Sequence, residues 1–238
     1  MAMLDVMNDT DALRRAAVVG VAIALLVSVP ASVAFFAAFN WDIEAATFGD
    51  PSAVLNGGPA AAALLRWGAV GDMFFSYLLL APLALYLHRR LRANGPWLAD
   101  LGAIAGFAYI FVGAAGAAIL AIAGSSLVEA YAAAPVADQP AIAASFGMVR
   151  DIVFFALWQM LDPITAGTWI LTTGVLLRNE RPMLSRLLIV VGAALVALSA
   201  MSMLGTHSLA VLVLIVAVAL VVWAAWSLIA RRPRAPAR

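Results

Sequence analysis

The chain has 238 residues, 65% of them hydrophobic and 11% charged, with a mean hydropathy of +1.02 and a formal net charge of +1. Soluble domains carry about 25% charged residues, so this composition cannot cover a water-facing exterior and instead reads as an integral membrane protein. With no cysteine, no lysine among the 14 basic residues and almost no net charge, thiol chemistry, Schiff bases and nucleic-acid partners are excluded.

A bilayer core of about 30 Å is crossed by roughly 20 apolar residues in a helix. The sequence predicts an all-α transmembrane bundle of six spans in one membrane domain. They run over Ala16 to Ala38, Trp67 to Leu87, Leu98 to Ala123, Ile152 to Leu177, Leu187 to Leu204, and Leu209 to Ala230. Arginine placement sets the orientation, because positive residues in short loops stay on the cytoplasmic side. Arg14, Arg15, Arg89, Arg90, Arg92, Arg178, Arg181, Arg186, Arg231, Arg232, Arg234 and Arg238 share one side, with Arg66 and Arg150 on the other. Both termini are therefore expected in the cytoplasm. Asp42, Glu44, Asp50, Glu129 and Asp138 fall in two long outer loops.

The first span begins after Arg14 and Arg15 and continues through Phe35 and Phe36. That is longer than the roughly 7–15 apolar residues of a signal peptide, so it is read as retained, with cleavage after the small residues near Ala31 as the alternative. In the loop that follows, Asp50 before Pro51 reads as an N-cap, and Asn56-Gly57-Gly58 stops a short helix before Pro59 starts the next. Span two carries Asp72 and, one turn on, Ser76; the plain expectation for Asp72 is a residue near the interface, reached by water or paired with Arg150. Pro82 interrupts this span, and His88 at its inner end, beside Arg89 and Arg90, is expected to meet lipid headgroups.

Span three offers Gly102 and Gly106 in GxxxG spacing, then Gly113 and Gly116, which predicts a central helix approached closely by its neighbours. Asp138 before Pro140 suggests a capped helix leading into span four. That span echoes span two: Asp72-Met-Phe-Phe is followed by Pro82, and Asp151-Ile-Val-Phe-Phe by Pro163, each with arginines beyond. Gly205-Thr206-His207-Ser208 reads as a tight turn between spans five and six, and Trp97, Trp223 and Trp226 as interface anchors.

Asp162 stands out, about 15 Å deep in span four, where an ionised side chain costs about 2.5–3.5 kcal/mol. Asp151, Phe155, Trp158, Asp162, Thr165, Trp169 and Thr172 recur at three- and four-residue spacing, with Gln159 and Thr173 flanking, so a polar and aromatic stripe is expected to look into the bundle. Asp162 then reads as a proton-exchanging carboxylate or a ligand anchor in a cavity lined by Trp158 and Trp169. The plainer alternative is a helix cap beside Pro163, accepting from the backbone near Thr165. Packing of the two hairpins is expected to join Asp72, Arg150, Asp151 and Glu129 in an outward-facing polar pocket above Asp162. His88 and His207 fall at opposite ends of the bilayer and cannot share an ion, so no metal or cofactor is expected.

Arg14 and Arg15, the long outer loop, Leu85-Tyr86-Leu87-His88-Arg89-Arg90 and Gly174-Val175-Leu176-Leu177-Arg178 before Pro182 together make the chain resemble a family of uncharacterised six-helix membrane proteins of bacteria, a domain of unknown function. The resemblance implies a bacterial cell-membrane location and supplies no catalytic residues. Three functional classes follow from the residues. One is a protein that binds or carries a small or lipid-soluble molecule near Asp162, working as a homo-oligomer since six spans are few for a carrier monomer. Another is a structural, assembly or regulatory protein whose glycine faces bind partner helices. The last is an acid–base enzyme on a lipid-soluble substrate, using Asp72 and Asp162.

Overall fold

The computed structural model describes residues 2–42 and 51–204, together with 226, 227 and 229, and all regular structure among them is helical. α1 is Ala2–Ala38 and α2 is the short Ser52–Leu55. Four longer helices follow: α3 over Gly58–Asn94, α4 over Pro96–Ala133, α5 over Gln139–Leu176 and α6 over Pro182–Met203. Five of these, α1 from Thr10 onward and α3 to α6, are long and apolar enough to cross a membrane. Asp50, the 205–208 turn and nearly all of the expected sixth span lie outside the described residues.

The helices overrun the expected spans. Alanine is the strongest helix former, and the alanine-rich stretches Pro59–Leu65 and Leu127–Ala133, outside spans two and three as drawn, extend α3 and α4. The second long outer loop reduces to residues 134–138 between α4 and α5. Asp138 occupies the N-cap position of α5, but through its backbone: its carbonyl accepts from Ala141 and Ile142 at 3.2 and 3.4 Å, and its side chain makes no capping bond. The Asn56-Gly57-Gly58 stop is present. Gly58 sits at φ +60°, a conformation glycine adopts without a Cβ penalty, and Pro59 opens α3.

α3 and α5 widen before an internal proline, whereas α1 carries Pro30 in a regular α-helix. α3 passes from Asp72 into a π-helical stretch, Met73–Tyr77, then a 3-10 turn, Leu78–Leu80, before Pro82. α5 is π-helical over Ile152–Leu161, immediately before Asp162 and Pro163. A proline ring clashes with the carbonyl four residues back and offers no N–H to it, and i→i+5 bonding is one way the preceding turns accommodate this. The echo between Asp72 and Asp151 is thus also structural, since each aspartate directly precedes a π stretch. A third, Leu120–Gly124, lies in α4.

The chain forms two compact units. The first comprises Met1–Ala22, Leu79–Ala108 and Pro163–Arg238. Within it α5 and α6 meet backbone to backbone at Gly167 and Gly192, where a Cβ on either glycine would lie 2.7 Å from the other's carbonyl oxygen. Gly102 faces Thr172 and Gly106 faces the Trp169 ring, so the GxxxG pair on α4 receives side chains rather than a neighbouring backbone. Arg14 also donates to the Ile229 carbonyl at 3.1 Å and Arg181 to that of Ser227 at 3.0 Å.

The second unit comprises Ile23–Leu78 and Tyr109–Asp162. Its core gathers Phe39, Leu55, Leu65, Leu120, Phe146 and Phe154 among small alanines and valines. Gly68 admits the backbone and side chain of Phe35, and Gly71 admits Ala31, which brings α1 and α3 close together.

These contacts separate two kinds of glycine. Gly192→Leu is expected to lower thermal stability in detergent by about 1–3 kcal/mol or to block folding, because backbone atoms occupy the space a side chain needs. Gly147→Ala, where nothing lies within 4 Å, is expected to hold or raise the melting temperature through helix propensity.

Candidate functional site

Several polar groups of the second unit collect around Tyr77 and Asp162. Tyr77 ends the π stretch of α3 and is 6% exposed; Asp162 follows the π stretch of α5 and is 7% exposed. The Tyr77 hydroxyl donates to Asp162 Oδ2 at 2.7 Å. One residue earlier in α3, Ser76 Oγ donates to Asp72 Oδ1, also at 2.7 Å, and the Ser76 carbonyl accepts from the Tyr109 hydroxyl of α4 at 3.0 Å. The Tyr77 and Tyr109 rings lie 5.1 Å apart. Four polar side chains from α3 and α5 are thereby gathered with one phenol from α4.

Gly113 of α4 organises this arrangement. The Tyr77 ring occupies the place where its Cβ would stand, and its carbonyl accepts from Trp158 Nε1 at 3.4 Å. One turn further, Gly116 provides the space for the Trp158 indole, which also packs edge-on against Phe154 at 5.0 Å. The small-residue face of α4 serves here as a seat for two aromatic side chains, Tyr77, which holds Asp162, and Trp158.

Gln159 lies between Trp158 and Asp162 in sequence and is 8% exposed. Neither its Oε1 nor its Nε2 has a hydrogen-bond partner. A buried amide without partners costs roughly 1–3 kcal/mol, so it marks a place where a hydrogen-bonding group from outside the chain would be stabilising.

The other expected site residues divide. Asp72 and Asp162 belong to this cluster, Trp158 packs at Gly113 beside Tyr77, and Gln159 is buried in the same unit. Arg150 and Asp151 do not join Asp72 in an outer pocket. They bond to each other, Arg150 Nε and Nη2 meeting Asp151 Oδ1 at 3.0 and 2.7 Å. Glu129 is taken by Arg66 at 3.1 Å, and Arg66 also donates to the buried Ser125. Asp151 is exposed rather than part of an inward stripe, because the π turns between 152 and 161 take more residues per turn than the 3.6 on which the stripe was drawn.

Trp169 and Thr165 belong to the first unit. Trp169, with Thr172, Thr173, Leu87, His88 and Gly102, lines a narrow cleft with room for little more than one water molecule. Trp158 is not among its lining residues. His88 meets Asp100, with Nε2 and Oδ1 2.8 Å apart, and Arg92 lies 3.7 Å from the same oxygen. Arg90 and Asn94 both reach Glu180, at 3.1 and 2.6 Å. Among the described residues, no three histidine, aspartate or glutamate side chains form a group suited to a metal ion.

Sequence reasoning missed Tyr77 and Tyr109, and marked Gly113 as a close-approach glycine without showing that a ring fills its space. Tyr77 was signalled by its position beside Ser76 on a span already holding Asp72, but its reach to another helix depends on a packing partner that periodicity does not reveal. No family model, curated protein or solved structure matches the chain.

Because Gly113 makes room for Tyr77, Gly113→Ala and Tyr77→Phe should perturb the same bond. Each is expected to lower unfolding stability in detergent, and a double-mutant cycle of Tyr77→Phe with Asp162→Asn should give a coupling of about 0.5–2 kcal/mol. Denaturation of the four proteins of the cycle measures it.

Proposed function

We propose that this chain is a multi-pass protein of a bacterial cell membrane, with both termini in the cytoplasm, that binds and carries a small or lipid-soluble molecule at the Asp162 cluster. The observation that carries the reading is the Tyr77–Asp162 hydrogen bond, a buried carboxyl held by a phenol in helices long enough to span a bilayer. Ionisable groups at such depth are costly, and where they occur they mark substrate or proton pathways. A carboxyl that exchanges its proton while a phenol holds it in place supplies the step a proton-coupled carrier needs. Asp72 and Ser76 provide a second exchanging group on the neighbouring turn.

The unpartnered Gln159 amide supports binding over a purely structural role, since a sealed packing core rarely leaves both amide atoms unsatisfied. The arginine distribution supports the orientation. The absence of native cysteine makes the topology directly measurable. A membrane-impermeant maleimide is expected to label Ala137→Cys in intact cells and Ala93→Cys only after permeabilisation; the reverse pattern overturns the orientation.

A thermal-shift screen of the solubilised protein against a small-molecule library tests the site. Ligand at 100 times its Kd should stabilise the native state by about 2.7 kcal/mol. That stabilisation is expected to vanish in Asp162→Asn while helicity is retained. Equal stabilisation of both proteins, or a stoichiometric partner protein retained by the variant, overturns the reading in favour of an assembly role.

A further inference from the structure

Charge is divided unevenly along the chain. The residue ranges of the first unit hold twelve of the 14 arginines but five of the 13 acidic residues, a surplus of seven positive charges. Hydrogen bonds bring part of that surplus together at one end of the unit. The turn between α3 and α4 meets the turn between α5 and α6, where Arg90 and Asn94 reach Glu180 at 3.1 and 2.6 Å and Asn94 donates to the Leu176 carbonyl at 3.0 Å. Arginines outnumber acids six to one over residues 89–92 and 178–186, which include these turns.

Arg92 is exposed at the edge of this group. Its Nε stands 3.7 Å from Asp100 Oδ1, an ion contact too long for a hydrogen bond, while His88 meets the same oxygen at 2.8 Å. The guanidinium fork of Arg92 therefore has N–H groups to offer to an acceptor outside the chain. Asp100 also ties Arg92 to the surface of α4. The helix is regular over Pro96–Ile119, so Trp97 and Ile104, three residues before Asp100 and four after it, lie beside it. Leu101 continues the stripe between them, and all three apolar residues are exposed. A guanidinium thus stands at the head of an apolar helix face, with an indole next to it.

We infer that this corner of the first unit binds an anionic phospholipid in preference to a zwitterionic one, the Arg92 fork taking the phosphodiester and an acyl chain lying along Trp97, Leu101 and Ile104. A guanidinium donates to two phosphate oxygens at once. A zwitterionic headgroup brings its own cation into the arginine surplus, which an anionic one does not. A soluble phosphate gains the charge but nothing from the apolar face. The inference depends on these helices crossing a bilayer and is independent of the Asp162 cluster.

Native mass spectrometry of the detergent-solubilised full chain tests it, by titration with dioleoylphosphatidylglycerol or dioleoylphosphatidylcholine. The first phosphatidylglycerol is expected to bind about fivefold or more tightly than phosphatidylcholine, as for one arginine near a charged headgroup. Arg92→Gln should remove most of that preference while leaving phosphatidylcholine binding unchanged. Asp100→Asn, which removes the carboxylate beside Arg92, should strengthen phosphatidylglycerol binding, and so gives a readout even if the glutamine variant fails to fold. Arg66→Gln, in the second unit, should keep the preference. Equal binding of the two lipids, a preference retained in Arg92→Gln or lost as fully in Arg66→Gln, or weaker phosphatidylglycerol binding in Asp100→Asn each overturns the assignment. Displacement of phosphatidylglycerol by glycerol 3-phosphate alone also overturns it, in favour of a site for soluble phosphate.

Discussion

A polar side chain within a bilayer-spanning helix has to find its partners inside the protein, because hydrocarbon supplies none. The contact between Tyr77 and Asp162 meets that demand in two helices long and apolar enough to span a bilayer. The bond requires the phenol to reach from α3 to α5, and the reach requires that α4 carry no side chain at residue 113. The composition of α4, rich in glycine and alanine, is thus tied to the chemistry of two other helices.

Proline and the π turns enter by the same route. Pro163 disrupts regular bonding in the turn before it, and the wider winding of Ile152–Leu161 redirects the side chains that precede Asp162. Gln159 is buried and Trp158 half-buried, while Asp151, which a regular helix would align with Trp158, is exposed and joined to Arg150. Irregular backbone thus determines which polar residues of α5 are available to the cluster.

Much of this was legible in the sequence, for physical reasons that differ by feature. The helices were legible because the demand for apolar length is strong and local, although alanine carried them further than the hydropathy of the spans alone implied. Asp162, Asp72 and Gln159 were legible as anomalies, being polar groups in apolar runs. The partners of those residues were not, since a periodicity of 3.6 fails through a π stretch and a hydrogen bond across 85 positions of sequence leaves no local trace. Glycine spacing was informative about closeness but silent about what approaches: at Gly192 it is another backbone, whereas at Gly113 it is a ring.

The length of α4 and α5 has a further consequence. At 38 residues each they extend to roughly 57 Å, well beyond the roughly 30 Å thickness of hydrocarbon. Tilting absorbs only part of that excess, so turns of both helices must emerge into the headgroup region or past it. The ion pairs Arg66–Glu129 and Arg150–Asp151 fit such a wet setting. Helix ends that outrun a bilayer can therefore present a charged rim to the aqueous phase without long loops between α4 and α5.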